Sequence, residues 1–250
     1  MFIISQLDSE HLNSKVIYLV NDIIKWPRES YCPNQSHPYH AVVIQVCFVW
    51  VRAYTTDMRL LSDQIDEREL EIILRELKKV LAADVAGDVV EFGCYVGTTS
   101  VPMAKELRKT DKKLFVYDSF EGLPEKTVED ESPAGMQFKS GELLATKAQL
   151  IRHFKQAGLP LPIITKGWFS EISPSRVPET ICFAYLDGDY YHSILDPLAL
   201  IWDRLAPGAI IVVDDYANEA LPGAAKAVDQ WLASHPAKLR VEHSLAIISL

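Results

Sequence analysis

Two apolar runs that stop abruptly at carboxylates constrain the fold of this chain more than any other feature of its sequence. Residues 181–186 lead into Asp187, and residues 209–213 lead into Asp214 and Asp215. The segment between the two runs is typical of one helix and a turn, which predicts that the runs are neighbouring strands of a parallel sheet. Neighbouring strands lie about 5 Å apart, so the three carboxylates are expected to converge at one edge of that sheet.

Carboxylates crowded in this way must either be protonated or hold a cation, and hard oxygen ligands suit Mg²⁺, Ca²⁺ or Mn²⁺. We therefore predict a divalent metal site at Asp187, Asp214 and Asp215. The structural alternative is that these acids only keep the strand ends soluble and cap the helices that follow. The metal interpretation is favoured because both runs are predicted to end buried strands.

Composition sets the class of the protein and excludes several partners. The chain has 250 residues, of which 48% are apolar and 24% charged, as is typical of a soluble globular domain with an appendage. A formal net charge of −9 argues against a nucleic-acid partner, which would require a basic surface. The longest apolar run, residues 41–51, is too short to span a bilayer, and no signal peptide is predicted. We therefore expect no membrane contact and a cytoplasmic location.

From residue 66 onward, apolar patterns alternate between helix and strand. This alternation predicts an α/β fold with a mostly parallel sheet and helices on both faces, and the tight connection between the last two strands requires an antiparallel last strand. Ligands of such sheets bind beyond the carboxyl ends of the strands. Predicted helices cover residues 66–81, 98–108, 143–157, 193–204 and 223–234, and predicted strands cover residues 88–92, 114–117, a segment near 163, 181–186, 209–213, 239–242 and 245–250.

Residues 1–60 differ from the rest of the chain, with no clear repeat and no pattern that assigns them to the sheet. We interpret them as an N-terminal appendage and residues 61–250 as the main domain. The run at residues 41–51 carries more apolar side chains than a free tail can expose. It is therefore expected to cover the mouth of the site or a two-fold interface, and a homodimer is the expected assembly.

A glycine turn follows the first predicted strand. Residues 89–100, VVEFGCYVGTTS, predict a strand, a turn and the start of a helix. Gly93 permits a positive φ and a close approach of a ligand to the backbone, and Gly97 with Thr98 opens a helix whose N-terminal amides favour electron-rich groups. The GxxxG spacing matches neither the dinucleotide-binding fingerprint nor a phosphate-binding P-loop.

Two acids accompany this turn. Asp118 follows the second predicted strand, where a carboxylate can accept hydrogen bonds from a ribose diol. Glu91 lies in an otherwise apolar strand, and because buried carboxylates are rarely left unpaired, it is expected to hold loop amides or a cationic ligand. A cofactor with a ribose and a positive charge but no phosphate suits both acids, and S-adenosylmethionine has these properties.

Five motifs occur in a fixed order along the chain. They are GDVVEFG at residues 87–93 with Gly97, DSFEGLP at 118–124, GWF at 167–169, LDGD at 186–189 with Tyr191 and Ser193, and VDDY at 213–216. As a set, over roughly residues 57–235, they resemble the macrocin O-methyltransferase family, which acts on natural-product sugars. The resemblance implies a Rossmann-like class I methyltransferase sheet. It also implies the magnesium-dependent transfer of a methyl group from S-adenosylmethionine to a hydroxyl.

The resemblance assigns roles to individual residues. Asp187, Asp214 and Asp215 match the metal ligands of the family, and Asp187 also matches its proposed base. The chain departs from the family at residues 95–98, which are Tyr-Val-Gly-Thr where the family usually has Trp-Arg-Gly-Gly. The positions that the resemblance or the glycine turn assigns to the cofactor are Glu91, Gly93, Tyr95, Gly97, Thr98, Asp118 and Ser119.

Three functions stay open at this point. The favoured one is a metal-dependent O-methyltransferase acting on a small-molecule hydroxyl, either of a natural-product sugar or of a catechol or other phenol. A NAD-dependent oxidoreductase is disfavoured because the GxGxxG fingerprint is missing, and a non-catalytic binding protein would share the same fold. His192 is a candidate base that we interpret as a solvent-facing residue at a helix start. Asp189 is a candidate to bind the cofactor, to order Tyr191 or simply to start that helix.

Overall fold

The computed structural model describes residues 60–134, 136 and 138–250. The chain divides into two units, Met1–Asp57 and Met58–Leu250, and all of the described residues belong to the second. The predicted N-terminal appendage, with its apolar run at residues 41–51, lies outside the described residues. Among the described residues, no helix is both long and apolar enough to cross a bilayer.

The described part of the chain is built around a seven-stranded sheet. Its strands are β1 (Asp88–Phe92), β2 (Leu114–Asp118), β3 (Ile163–Lys166), β4 (Ile181–Leu186), β5 (Leu205–Val213), β6 (Lys238–Glu242) and β7 (Leu245–Ser249). Their order across the sheet is β3-β2-β1-β4-β5-β7-β6. Strands β1 to β5 are parallel, whereas β7 is antiparallel to both of its neighbours. The predicted mostly parallel sheet with an antiparallel last strand is therefore confirmed.

Helices cover both faces of this sheet, as the sequence predicted. They are α1 (Glu67–Ala82), α2 (Ser100–Leu107), α3 (Lys147–Gln156), α4 (Tyr191–Ile201) and α5 (Pro222–Leu232). Helices α1, α2 and α3 share one buried apolar cluster with the sheet. Helices α4 and α5 share a second cluster with side chains from the other face of the same strands. The burial of apolar surface in these two layers is the main force that stabilises the domain.

The sequence of helix α1 explains both which face it buries and where it begins. Its buried side chains recur at three- and four-residue spacing and include Leu70, Leu77 and Val80. Its start is a capping box, in which the side chain of Asp66 accepts a hydrogen bond from Glu69 N at 2.8 Å. In return, Glu69 Oε2 accepts one from Asp66 N at 3.0 Å. The predicted helix at residues 66–81 is confirmed within one residue at each end.

Several boundaries differ from the prediction. Helix α3 begins at Lys147, after the predicted residue 143, because the capping box of Thr146 sets its start. Helix α2 begins at Ser100, after the predicted residue 98, because the glycine turn extends through Thr99.

Helix α4 begins at Tyr191, before the predicted residue 193, because a carboxylate from a distant loop caps it. Strand β5 begins at Leu205, before the predicted residue 209. Its early part includes a Pro-Gly pair that is typical of turns, and the register with β4 shifts between Ile181 and Phe183 to accommodate it.

The register of the parallel strands brings their carboxyl ends together. Phe92 of β1 pairs with Tyr117 of β2 and with Leu186 of β4, and Leu186 pairs with Val213 of β5. The residues that follow these strands therefore meet at one edge of the sheet. The segment between β2 and α3, residues 119–146, is here called the β2–α3 loop, and it contains one turn of 3₁₀ helix at Val128–Asp130.

Candidate active site

A cavity of about 540 Å³ opens at the carboxyl ends of the parallel strands. Residues from the glycine turn, the β2–α3 loop and the segments after β4 and β5 line it. No Lys or Arg among the described residues lines this cavity, which favours a ligand without phosphate groups. Of the residues that the sequence assigned to the site, Gly93, Tyr95, Asp118, Ser119, Asp187 and Asp215 line the cavity, whereas Glu91, Gly97, Thr98 and Asp214 lie outside its lining.

Both glycines of the turn have positive φ angles, which the sequence predicted for Gly93 only. Gly93 has a φ of +85°, and a Cβ atom there would lie 1.8 Å from the carbonyl oxygen of Asp187. The backbone that approaches Gly93 most closely is therefore that of the chain itself, and Gly93 permits β1 and the segment after β4 to pack together. Gly97 has a φ of +94°, and a Cβ atom there would lie 2.6 Å from Leu150 Cδ1, so this glycine permits the turn to pack on α3.

Asp118 orders the glycine turn from the end of β2. Its Oδ2 accepts hydrogen bonds from the backbone N–H groups of Cys94 at 2.9 Å and Tyr95 at 3.1 Å. Its Oδ1 accepts one from Phe120 N at 2.7 Å. The side chain also lines the cavity, where its oxygens retain further lone pairs for a ligand. Asp118 therefore faces the space where the predicted ribose would lie and shapes the turn beside it.

Glu91 is fully buried and has different partners from those predicted. Its carboxylate accepts hydrogen bonds from the hydroxyls of Thr99 and Ser100 at the start of α2, not from loop amides. Burial raises the pKa of Glu91 to about 7, although the two hydroxyls partly oppose this. Thr98, in turn, bonds through its hydroxyl to Ser62 Oγ at 2.7 Å. Glu91 and Thr98 thus stabilise the glycine turn without lining the cavity.

Four carboxylates crowd the other end of the cavity. Burial raises the pKa of Asp187 well above its ordinary value, and repulsion from Asp214, Asp189 and Asp215 raises it further. Burial and the charge of Asp215 likewise raise the pKa of Asp214 to about 8. The pKa values of Asp189 and Asp215 are raised chiefly by burial as well. Ionised forms are therefore unfavourable here, and a cation would relieve the repulsion.

Tyr185 lies between two of these carboxylates. Its hydroxyl donates a hydrogen bond to Asp214 Oδ2 at 2.7 Å and lies 3.3 Å from Asp187 Oδ2. The backbones are joined too, since Asp214 N donates to Leu186 O at 2.9 Å. The acidic strand ends are thus neighbours, as the sequence predicted.

Asp187, Asp214 and Asp215 are neighbours, but they do not form a group of three ligand atoms that all lie within 4.8 Å of one another. Among the described residues, the group of His, Cys, Asp or Glu side chains whose ligand atoms all lie within 4.8 Å of one another is Asp66, Glu69 and His243. That group is largely exposed, and its two acids form the capping box of α1. Asp187, Asp214 and Asp215 nevertheless supply hard carboxylate oxygens, the type of ligand that divalent cations prefer.

The segment between β4 and α4 contains the two residues whose roles stayed open. Asp189 lines the cavity and has a φ of +62°, an unusual conformation for a residue other than glycine. His192 also lines the cavity, but its side chain is 60% exposed and its Nδ1 lies 3.6 Å from Asp196 Oδ1. The predicted position of His192 at the helix start is confirmed, on the rim of the cavity.

Sequence reasoning missed two residues that organise the site. The sequence pattern places Tyr185 in a buried strand, and no local signal indicates that its hydroxyl bonds to Asp214. Asp130 lies in the β2–α3 loop, is 1% exposed and accepts a hydrogen bond from Tyr191 N at 2.6 Å. The pair Thr127 and Asp130 has the spacing of a capping motif, which could have indicated a local turn but not its distant partner.

Comparisons with known proteins agree with the motifs. The model of the macrocin-O-methyltransferase (TylF) family matches residues 49–243. A tetracenomycin-C 4'-O-methyltransferase of Streptomyces olivaceus, acting on the 8-demethyl-8-(2,3-dimethoxy-alpha-L-rhamnosyl) compound, is 33% identical over 152 residues, which are 58% of each chain. The demethyldecarbamoylnovobiocin O-methyltransferase of Streptomyces niveus is 28% identical over 176 residues, which are 66% of each chain. The chain thus spans less than two thirds of the length of these curated relatives.

The fold is shared with solved methyltransferase structures. The structure of the O-methyltransferase NovP superposes with a TM-score of 0.62 and 26% identity, covering 72% of this chain and 78% of that one. The match confirms the class I methyltransferase sheet that the resemblance implied. Because the family model spans most of the chain, from the segment before α1 to the turn after β6, this protein belongs to the macrocin O-methyltransferase family.

Proposed function

We propose that this protein is an S-adenosylmethionine-dependent O-methyltransferase that methylates a hydroxyl of a small molecule in a metal-dependent reaction. One observation carries the proposal. The glycine turn ordered by Asp118 and the crowded acids around Asp187 line the same cavity, so the binding elements for a methyl donor and for a reacting hydroxyl are adjacent. Family membership supports the reaction class.

The donor set fits the two groups that such a reaction requires. Gly93, Tyr95, Asp118 and Ser119 line the cavity and would hold S-adenosylmethionine, a cation that the acidic lining favours. Asp187, Asp214 and Asp215 would hold Mg²⁺, whose charge offsets the repulsion that raises their pKa values. When bound, the cofactor supplies an electrophilic methyl group and the cation lowers the pKa of a hydroxyl beside it.

The residues of the chain perform the remaining tasks. Asp187, which lines the cavity, accepts the proton that the acceptor hydroxyl releases. Tyr185 fixes the carboxylate of Asp214 through its hydrogen bond. The walls of the cavity hold donor and acceptor side by side, which provides the close and aligned geometry that methyl transfer requires.

The acceptor class follows from the lining and from the relatives. The cavity combines acids with apolar side chains, among them Phe138, Leu143 and Leu221, so it suits an acceptor with both hydroxyl and apolar groups. Both curated relatives are O-methyltransferases, one of them named for a rhamnosyl tetracenomycin. We propose a natural-product sugar as the acceptor, with a catechol or other phenol as the alternative. No described feature favours a nucleic-acid partner, and the homodimer and the cytoplasmic location stay predictions.

Calorimetry tests the cofactor first. The protein should bind S-adenosylmethionine and S-adenosylhomocysteine and should not bind NAD. Replacing Asp118 with alanine should weaken S-adenosylmethionine binding by about 1.5–3 kcal/mol, since it removes a charged acceptor that also orders the turn. Unchanged affinity in Asp118→Ala would show that the donor binds elsewhere.

Turnover then tests the reaction and the metal. Glycosylated natural products and catechols are incubated with isotopically labelled S-adenosylmethionine, and the label should enter the acceptor as a methyl ether. Chelation with EDTA should stop the transfer and Mg²⁺ should restore it. Asp187→Asn and Asp214→Asn should each lower the rate by orders of magnitude and leave donor affinity almost unchanged. Full activity in EDTA would exclude the metal-dependent mechanism.

A further inference from the structure

The β2–α3 loop is tied to the acidic end of the site by a carboxylate that the mechanism above does not use. Asp130 is 1% exposed and lies in the 3₁₀ turn of this loop at Val128–Asp130. Its Oδ1 accepts a hydrogen bond from Tyr191 N at 2.6 Å. Its Oδ2 accepts bonds from Thr127 N at 2.9 Å and Thr127 Oγ1 at 2.7 Å. One carboxylate thus joins the loop to the first residue of α4.

The hydrogen bond from Tyr191 N to Asp130 caps the start of α4. The N-cap residue of this helix, Tyr190, makes no capping hydrogen bond with its side chain. The start of a helix leaves N–H groups without partners and favours negative charge, so a buried carboxylate there is well placed. The cap is supplied from a position 61 residues away in the sequence, and it therefore fixes tertiary structure as well as the helix.

The segment that this cap fixes carries the acids of the site. Asp187 and Asp189 lie in the few residues between β4 and α4, and Asp189 holds a φ of +62°. Such a conformation is maintained only where the surroundings hold the backbone, and the bond from Asp130 to Tyr191 holds it from the helix side. Gly188 permits this segment to pack closely on α4, since a Cβ atom there would lie 2.5 Å from Ser193 O.

Helix α5 packs against the contact between Asp130 and Tyr191 so closely that only glycine fits there. Gly223, in the first turn of α5, faces the contact, and a Cβ atom there would lie 1.9 Å from Asp130 Oδ1 and 2.6 Å from Tyr191 N. Near it, Ser132 Oγ donates to Glu219 O at 2.7 Å, and Lys226 Nζ donates to Glu129 O. The loop is therefore tied to the segments that follow both β4 and β5.

We propose, on the basis of the proposed function, that Asp130 is a positioning residue for methyl transfer, which fixes through Tyr191 the backbone that carries Asp187 and Asp189. The same loop lines the cavity with Ser119 and Leu123. Asp130 therefore sets the acids and one wall of the cavity relative to each other. It touches neither the donor nor the acceptor, and it acts only through the segment that it caps.

Kinetics of the full-length protein test the role. Asp130→Ala should lower kcat by about 10- to 100-fold, because small displacements of catalytic groups cost this much. The dissociation constant of S-adenosylhomocysteine should change by less than about threefold, since Asp118 and the glycine turn are not displaced and Ser119 is held locally by its bond to Gly122 O at 3.3 Å. Asp130→Asn keeps one oxygen for Tyr191 N–H and should recover part of kcat. Gly223→Ala should reproduce the loss, as it displaces the same contact.

A matched control separates this contact from a general loosening of the loop. Ser132→Ala removes a neighbouring tie of the same loop but does not touch Tyr191, so its kcat should stay within about threefold of the wild type. An equal loss in Ser132→Ala and Asp130→Ala would overturn the proposal. So would a kcat in Asp130→Ala equal to that of the wild type.

Hydrogen exchange gives a readout that does not depend on turnover. In Asp130→Ala, the amides of residues 187–194 should exchange faster, whereas those of the glycine turn at residues 93–99 should not change. If the wild type methylates no acceptor and this exchange pattern is observed, the proposed function fails while the positioning of the acidic segment stands. Unchanged exchange at residues 187–194 would overturn the positioning role whatever the activity.

Discussion

At the scale of single residues, positions at the ends of strands were predictable and their partners were not. Gly93, Asp118 and Asp187 line the cavity as expected, because a parallel sheet brings the residue after each strand to one edge. Glu91 was correctly identified as a buried and paired acid, but its partners are hydroxyls of α2. The contact of Asp130 with Tyr191 joins distant parts of the chain, and no local pattern encodes such a pairing.

The hydroxyl of Tyr185 offers a residue-scale test of the acidic end. Tyr185→Phe keeps the buried ring and removes the donor to Asp214. We expect methyl transfer to fall by about 10- to 100-fold, as is usual when a partner that orients metal ligands is lost. Tyr117→Phe is the matched control, because Tyr117 is buried in the same sheet and its hydroxyl donates only to Arg176 O, at 3.0 Å. Equal rates for both variants would argue against an orienting role for Tyr185.

The buried carboxyl of Glu91 predicts how stability depends on pH. Burial raises its pKa from 4.5 to about 7, so between these values the folded protein keeps a proton that the unfolded chain has released. The free energy of unfolding should therefore fall as the pH rises through this range, by up to about 3 kcal/mol from this group. Glu91→Gln removes the charge and keeps the shape of the side chain.

Urea unfolding from about pH 5 to about pH 8 checks this expectation. The variant Glu91→Gln should gain stability relative to the wild type as the pH rises, and it should differ least at the acidic end of the range. Because Glu91 does not line the cavity, the affinity for S-adenosylmethionine should change little. A constant difference in stability across the range would show that Glu91 does not titrate as its burial implies.

At the scale of elements, strands and helices were predicted where the pattern is local. Strands β1, β2 and β4 are largely buried runs, and α1 has both periodicity and a capping box, so their bounds were close to the prediction. The early starts of α4 and β5 were missed, because a distant carboxylate caps one and a bulge interrupts the other. The path of the β2–α3 loop depends on tertiary bonds that its sequence does not indicate.

The contact between α1 and the β6–β7 hairpin gives a prediction at this scale. Glu76 of α1 is 1% exposed and accepts hydrogen bonds from Arg75, Lys79 and Arg240. Burial alone would raise the pKa of Glu76, but these hydrogen bonds outweigh it and lower the pKa below its ordinary value. The stabilisation should therefore be complete above the pKa of the unfolded chain and should be lost as the pH falls through the lower folded value.

Glu76→Ala should destabilise the protein by about 1–2 kcal/mol, because it removes three charge-assisted hydrogen bonds whose cationic donors stay partly exposed to solvent. The control is Glu71→Ala on the same helix, where the ion pair with Arg68 is exposed and should contribute less than about 1 kcal/mol. Thermal and urea unfolding measure both changes at neutral and acidic pH. A loss in Glu76→Ala no larger than in Glu71→Ala would mean that Glu76 contributes little to the contact between α1 and the hairpin.

At the scale of the whole molecule, the sequence predicted the class of sheet because alternating helix and strand patterns allow few topologies. The family and the reaction class followed from motifs at the carboxyl ends of the strands. The acceptor did not follow, since no motif encodes the combined shape of the loops that line the cavity. The oligomeric state did not follow either, because no motif identifies a surface that would form an interface.

The organisation of the chain gives the last prediction. The seven-stranded sheet, its two helical layers and the described lining of the cavity all lie within residues 58–250. A protein of residues 58–250 should therefore unfold cooperatively and bind S-adenosylhomocysteine. If residues 1–57 enclose the acceptor or form the two-fold interface, as the apolar run at 41–51 predicts, this shorter protein should lose acceptor methylation or aggregate. Circular dichroism, calorimetry and light scattering on both proteins decide this. A monomeric full-length chain, with the shorter protein equally soluble and equally active, would contradict both roles.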